Sequence, residues 1–175
     1  MTRINKSILS LLVFTMILSC NNNDDNQNEQ NEYFGCCSTD PVFGANVDNL
    51  DQSAGEIEVF TIVTPNNDAV NDGFGIRNIE LYPNHTVTIY NSDNEQIFES
   101  TNYAFPNNFP DHTQNNSNGN ASFPNGTYRY KIVIENEETF RLSGSFCMFT
   151  FPDPEPDFTG CNLGGFDPVI SNVPN

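Results

Sequence analysis

Basic residues are scarce in this chain. Lys and Arg total 6 against 23 Asp and Glu, a formal charge of −17. Nucleic-acid binding needs a basic surface that displaces counterions, so nucleic acid is excluded as a partner. Docking onto an anionic leaflet through protein charge is excluded for the same reason. No apolar run approaches the ~20 residues that a spanning helix needs. Tryptophan is absent and only two histidines, His85 and His112, occur. Nucleophile-elbow, phosphate-loop, dinucleotide and zinc-protease motifs are all missing, which points away from an enzyme. Asp111 precedes His112, but neighbours in sequence do not make a catalytic dyad. Both histidines fall in turn or loop contexts and are expected to be solvated. Glu137 and Glu138 are expected at a hairpin tip, facing water with ordinary acidity.

What is present begins at the N-terminus. Arg3 and Lys6 precede an apolar run from Ile8 to Leu18, then Ser19, Cys20 and a polar tract, NNNDDNQNEQNE. This is the layout of a secretory signal. The 11-residue run is too short for a membrane span. No Ala occurs in the first 40 residues, so an A-x-A cleavage site is lacking. The cysteine after a small residue resembles the lipobox of bacterial lipoproteins. That resemblance implies cleavage before Cys20, lipid on Cys20 and attachment to the outer membrane. Cleavage there removes Arg3 and Lys6 and no acid, leaving 4 basic and 23 acidic residues and a charge of −19. Such a surface is soluble and self-repelling, and it tolerates divalent cations.

Residues 20–33 read as an acidic, Asn-rich tether that cannot bury enough apolar surface to fold. Asp24 and Asp25 resemble the acidic cluster that directs lipoproteins of gliding Gram-negative bacteria to the cell surface. Residues 34–55 read as an irregular segment holding Cys36 and Cys37. Residues 152–175, with Pro152, Pro154, Pro156, Pro168 and Pro174, read as an extended tail held at Cys161 at most.

Between these flanks, residues 56–151 lack long runs of helix formers. Short β-branched and aromatic runs alternate with turn signals. Strands are expected at 56–63, 76–82, 86–90, 96–100, 127–135 and 140–151. Residues 92–95 should turn one hairpin and Pro124-Asn125-Gly126 mark another turn. Tyr128, Tyr130, Ile132 and Ile134 share one face by period 2. Residues 101–123 read as a long polar loop. About seven short strands imply an all-β fold, a single immunoglobulin-like antiparallel β-sandwich.

Cys36, Cys37, Cys147 and Cys161 remain once Cys20 is assigned to lipid. An even number in an exported chain permits two disulfides in three connectivities. A bond between Cys36 and Cys37 is strained, so each is expected to reach Cys147 or Cys161. Four thiols also suit zinc, but an oxidising exterior and the lack of a C-x-x-C spacing favour disulfides. Asn66, Asn67, Asp68, Asn71 and Asp72 put five oxygen-bearing side chains within seven residues. Calcium takes such ligands, with Asn66, Asp68, Asn71 and Asp72 as the candidate set, although the spacing is not that of an EF-hand. The alternative is an Asx-rich turn bonded to its own backbone. No other cofactor is implied. Tyr103, Phe105 and Phe109, together in the long loop, are the candidate partner contacts, by protein or by sugar stacking.

The stretch Thr64-Pro65-Asn66-Asn67-Asp68-Ala69-Val70-Asn71-Asp72 is similar to the TPNGDGVND signature of the gliding motility-associated C-terminal domain, a module of type IX secretion. Ile79–Asn91, Gln96–Tyr103, Pro124–Tyr130 and Arg141–Phe149 resemble further family segments in the same order. The resemblance covers about residues 60–150 and implies a small β-sandwich and a link to type IX export. Asn67 and Ala69 stand where the family has glycines. Alanine resists positive φ, so a differently shaped loop is expected. The combined expectation is a non-enzymatic, surface-exposed outer-membrane lipoprotein that works as an accessory or binding subunit of an outer-membrane assembly. Cargo or surface attachment in type IX secretion, and carbohydrate binding, are the alternatives.

Overall fold

The computed structural model describes residues 32–110, 123–150, 158–165, 167 and 170. Cys20, Asp24, Asp25, His112, the signal segment, most of the tether and the tail prolines lie outside them. The described chain carries β1 (Val47–Asp48), β2 (Glu58–Val59), β3 (Ile62–Val63), β4 (Ile76–Arg77), a 3₁₀ turn (Ile79–Leu81), β5 (His85–Tyr90), β6 (Gln96–Ser100), β7 (Gly126–Ile134) and β8 (Phe140–Met148). The fold is all-β, as its strand-forming runs require.

The long hairpin β7–β8 is the centre of the larger sheet. Along β7 buried and half-buried residues alternate without a break, so Tyr128, Tyr130, Ile132 and Ile134 all enter the core. The order is β1-β8-β7-β5-β6, all antiparallel, with β3 added to β8 in parallel. β2 and β4 form a second, two-stranded sheet. Between the layers lie Val63, Phe74, Ile79, Val87, Ile89, Ile132 and Phe146, each nearly or fully excluded from water.

Two expected strands are broken. The run 56–63 divides into β2 and β3, which serve different sheets. The run 76–82 stops after Arg77, because Asn78 adopts φ 65 and the chain turns into the 3₁₀ segment. The segment 34–55 is less irregular than its composition implies, since it contributes β1 to the edge of β8.

That edge is fully paired. Beyond β1, Ser143 N–H donates to Asn46 Oδ1 (3.0 Å), Ser145 N–H to Ser38 O (2.9 Å), Cys147 N–H to Thr61 O (2.9 Å) and Phe149 N–H to Val63 O (3.0 Å). An open edge is a template for unwanted pairing, and here the N-terminal flank and β3 together close it. Gly144 permits the close approach: a Cβ there would stand 2.9 Å from Ser38 O and 2.7 Å from the Tyr130 hydroxyl.

Burial also holds tyrosines neutral. The Tyr130 hydroxyl is pushed up to about 12, and burial raises Tyr103 and Tyr128 further. An unfolded phenol ionises near 10. A raised folded value favours the folded state below the unfolded value, and the advantage drains away as pH rises from 10 towards 12. The tyrosine contribution to stability is therefore expected to be flat up to about pH 10 and to fall above it. Tyrosinate absorbance followed together with circular dichroism checks this. The buried phenols should ionise only as the sheet signal is lost.

Candidate functional site

The signature loop follows β3 and runs from Thr64 to Gly73. The side chains of Asn66, Asp68 and Asp72 bond inward to the loop itself. Asp72 accepts from Asn67 N–H (2.6 Å) and Ala69 N–H (2.7 Å). Asp68 accepts from Val70 N–H (2.9 Å) and from the Asn66 amide (3.0 Å), whose oxygen accepts from Asp68 N–H (3.0 Å). All four carboxylate oxygens of the candidate calcium set thus serve as Asx acceptors for the loop's own groups. Asn67, Ala69 and Asn71 have φ 64, 71 and 50. Contrary to the expectation for an alanine, Ala69 takes the left-handed conformation. Its strain, of order 1–2 kcal/mol, is met by the bond from its amide to Asp72.

Below the loop the chain's tail closes in. Asp167 is wholly buried and accepts from the Thr64 hydroxyl and from the Asn71 amide (3.1 Å). Asn162 bonds Thr61 in both directions, N–H to Oγ1 and O from N–H, each 2.8 Å. The Asn162 amide also donates to Val59 O (2.9 Å) and Glu58 (3.1 Å). Phe158 and Ile170 bury themselves with Ile62, Phe149, Cys37 and Cys147 in a second apolar cluster. The described tail residues, 158–165, 167 and 170, therefore pack onto the domain through contacts beyond Cys161, which corrects the reading that only Cys161 holds the tail. Its prolines hid this, because they signal extension without showing what an extended chain packs against. Asp167→Ala should cost about 1–3 kcal/mol, the penalty of taking the acceptor from the buried Thr64 hydroxyl and the half-buried Asn71 amide. Urea unfolding of the variant measures it.

The four cysteines meet beside this cluster. Cys36 pairs with Cys147 and Cys37 with Cys161, at Cα separations of 5.2 and 5.0 Å. This is one of the two connectivities that avoid a Cys36–Cys37 bond. The first pair ties the N-terminal flank to β8, and the second ties that flank to the tail.

The proposed contact aromatics separate. Tyr103 and Phe109 are buried and Phe105 is exposed. Tyr103 donates its hydroxyl to Phe74 O (2.5 Å) and accepts Phe109 N–H (3.3 Å). The Phe109 ring sits 5.6 Å from Phe98 and 4.8 Å from Phe123. Both are core residues, and the surface reading is withdrawn for them. Phe105 lines an open groove of about 520 Å³ with Phe60, Asn71, Asp72, Asn108 and Gly164.

His85 is likewise buried rather than solvated. Its Nε2 accepts Tyr103 N–H (2.8 Å), so the proton stands on Nδ1, facing Tyr82 O. It is a structural bridge between β5 and the long loop. Glu137 is not left to water alone. Lys131 and Arg141 pair with it, and the Lys131 bond first, then the charges of both, lower its carboxyl below the usual range.

The family described as the CHU_C type IX secretion signal domain matches residues 57–148, just over half of the chain. The matched span opens before β2 and closes at the end of β8. It leaves outside it both flanks that the disulfides bring in. No curated protein and no solved structure matches the chain.

Proposed function

Since the chain belongs to the CHU_C type IX secretion signal domain family, we propose that it is a non-enzymatic, lipid-anchored protein of the outer cell surface. In this reading the family domain is a resident binding module of an outer-membrane assembly. The observation that carries it is the closure of the domain from both sides. Cys36 on one flank is bonded to β8, and Cys37 joins that flank to Cys161 on the other. Asp167 then pins the later flank to the signature loop. A domain built this way holds its neighbours covalently and cannot part from either by a single backbone cut.

The lipid at Cys20 supplies attachment and the acidic tether supplies reach. Bacterial lipoproteins carry several acyl chains, and more than one is needed for stable anchoring. Phe105 and the groove beside it offer the partner surface. The family match supports a second reading, in which the type IX machinery recognises the sandwich as a sorting or attachment module.

Replacing Cys20 by Ser separates anchoring from recognition. The variant is expected to leave the membrane fraction while wild type remains there and is cut by externally added protease. Wild-type membrane retention undiminished in the variant would overturn the lipid anchor. Co-purification after mild detergent extraction tests the assembly. A protein that purifies alone would overturn the subunit reading.

A further inference from the structure

β4 has an open edge. It pairs with β2 on one side, and no other described strand joins it. Ile76 stands opposite Val59, and the bond from Phe60 N–H to Gly75 O (2.9 Å) makes this a non-hydrogen-bonded pair. The N–H and C=O of Ile76 therefore point away from β2. A strand donor and acceptor turned outward are a template for an added strand. The edge lies in a recess of about 310 Å³ formed with Phe60, Arg77, Glu80 and Phe105. Two further recesses continue it. Phe60, Phe105 and Asn108 also line the 520 Å³ groove that holds Asp72. Arg77 also lines a recess of about 500 Å³ that holds Glu56 and Glu58. The shared residues join the three into one track beside β4.

Charge identifies the occupant. The carboxylates of Glu56, Glu58, Asp72 and Glu80 line the track against one cation, Arg77. Arg77 is paired with Glu58. Asp72 accepts from neutral backbone amides, which leave its charge in place. Glu56 and Glu80 are exposed. The track also shows how a cation is held, since the Arg77 guanidinium lies 5.0 Å from the centre of the Phe60 ring. Phe105, 78% exposed, presents a second ring in the same track. A second copy of the chain would bring a formal charge of −17 and the same carboxylates, so it is repelled.

We propose that an extended, arginine-bearing segment of a partner protein adds to β4 along this track. Its backbone bonds the N–H and C=O of Ile76. Its guanidinium groups stack on Phe105 and meet the carboxylates of Glu80 and Glu56. Arginine suits both tasks, because its flat cation stacks on a ring and donates to carboxylates at once. This inference rests on the reading of the Phe105 groove as the partner surface and names the chemistry of that partner.

The test uses the full chain with Cys20→Ser, so that binding is read without a membrane. The probe is a short synthetic peptide of alternating Arg and Val, blocked at both ends. The expected result is saturable binding that weakens with salt, together with slowed hydrogen exchange of the Ile76 amide. Glu80→Lys should weaken binding about tenfold, through a lost pair and a new repulsion. Phe105→Ala should weaken it about two- to fivefold, the worth of an exposed cation–π contact. Methylating the peptide's amide nitrogens should cost about tenfold in strand bonds. A peptide of alternating Glu and Val should not bind. No binding of the Arg peptide, equal affinity in Glu80→Lys and wild type, or unchanged Ile76 exchange would overturn the proposal. Equal binding of the Glu peptide, or displacement of the Arg peptide by a neutral oligosaccharide, would do the same. Failure of peptide binding beside intact co-purification strikes the basic strand alone, whereas peptide binding beside failed co-purification strikes the assembly.

Discussion

Cys36→Ser combined with Cys147→Ser is expected to lower the unfolding free energy of the oxidised protein by roughly 2–5 kcal/mol. The bond closes a sequence separation of 111 residues. With Cys37–Cys161 intact, however, the path this bond closes runs only between Cys147 and Cys161, about 15 residues, for which the chain-entropy estimate is ~3 kcal/mol. Domains of this size are stable by only about 5–15 kcal/mol. The loss is therefore a large share of the total, and the urea midpoint should drop sharply with little change in slope. The second bond, Cys37–Cys161, survives in this variant and keeps the tail joined to the N-terminal flank. A midpoint equal to wild type would mean that the first pair does not hold the flank to β8 in solution.

Phe109→Ala and Phe105→Ala should part by several kcal/mol, although the two residues lie four apart in one loop. Phe109 is fully buried among Phe98, Phe123, Tyr128 and Phe146. Truncating a buried phenylalanine costs about 3–5 kcal/mol, through lost transfer energy and the cavity left behind. Phe105 is 78% exposed. Its truncation should stay within about 0.5 kcal/mol of wild type, as surface changes usually do. Paired thermal melts give the comparison. Equal losses would show that Phe105 is not a surface residue in solution. A neutral Phe105→Ala protein is also the right reagent for partner binding, because any loss of co-purification then reports on contact and not on folding.

The parts of the fold legible in the sequence are those with a local period. Residues 126–134 alternate so regularly that β7 and its buried face follow from pattern alone. Gln96–Ser100 was equally plain, bounded by a turn of Ser, Asp, Asn and Glu. Long-range placement left no such trace. His85 sits beside Pro83 and Asn84, which read as a turn, yet Tyr103, 18 residues away, supplies the amide that buries it. Tyr103 and Phe109 are aromatics in a polar stretch, and nothing local distinguishes a core plug from an exposed anchor. Phe105, between them, has the opposite fate. The signature loop was legible as Asx-rich, and its own amides prove to be the acceptors' partners. Asp167 stands in a Pro-containing stretch and pairs with residues 96 and 103 positions earlier. Only Cys161 hinted that the tail belonged to the domain, since a disulfide needs its partner close by.

The account rests on a family domain that stays with its flanks at the cell surface. Intact mass and N-terminal analysis of the protein extracted from outer membranes tests this most directly. The predicted result is one lipidated species that begins at Cys20, retains residues 57–148 and carries no free thiol. A surface form or a released form from which residues 57–148 have been removed would contradict it.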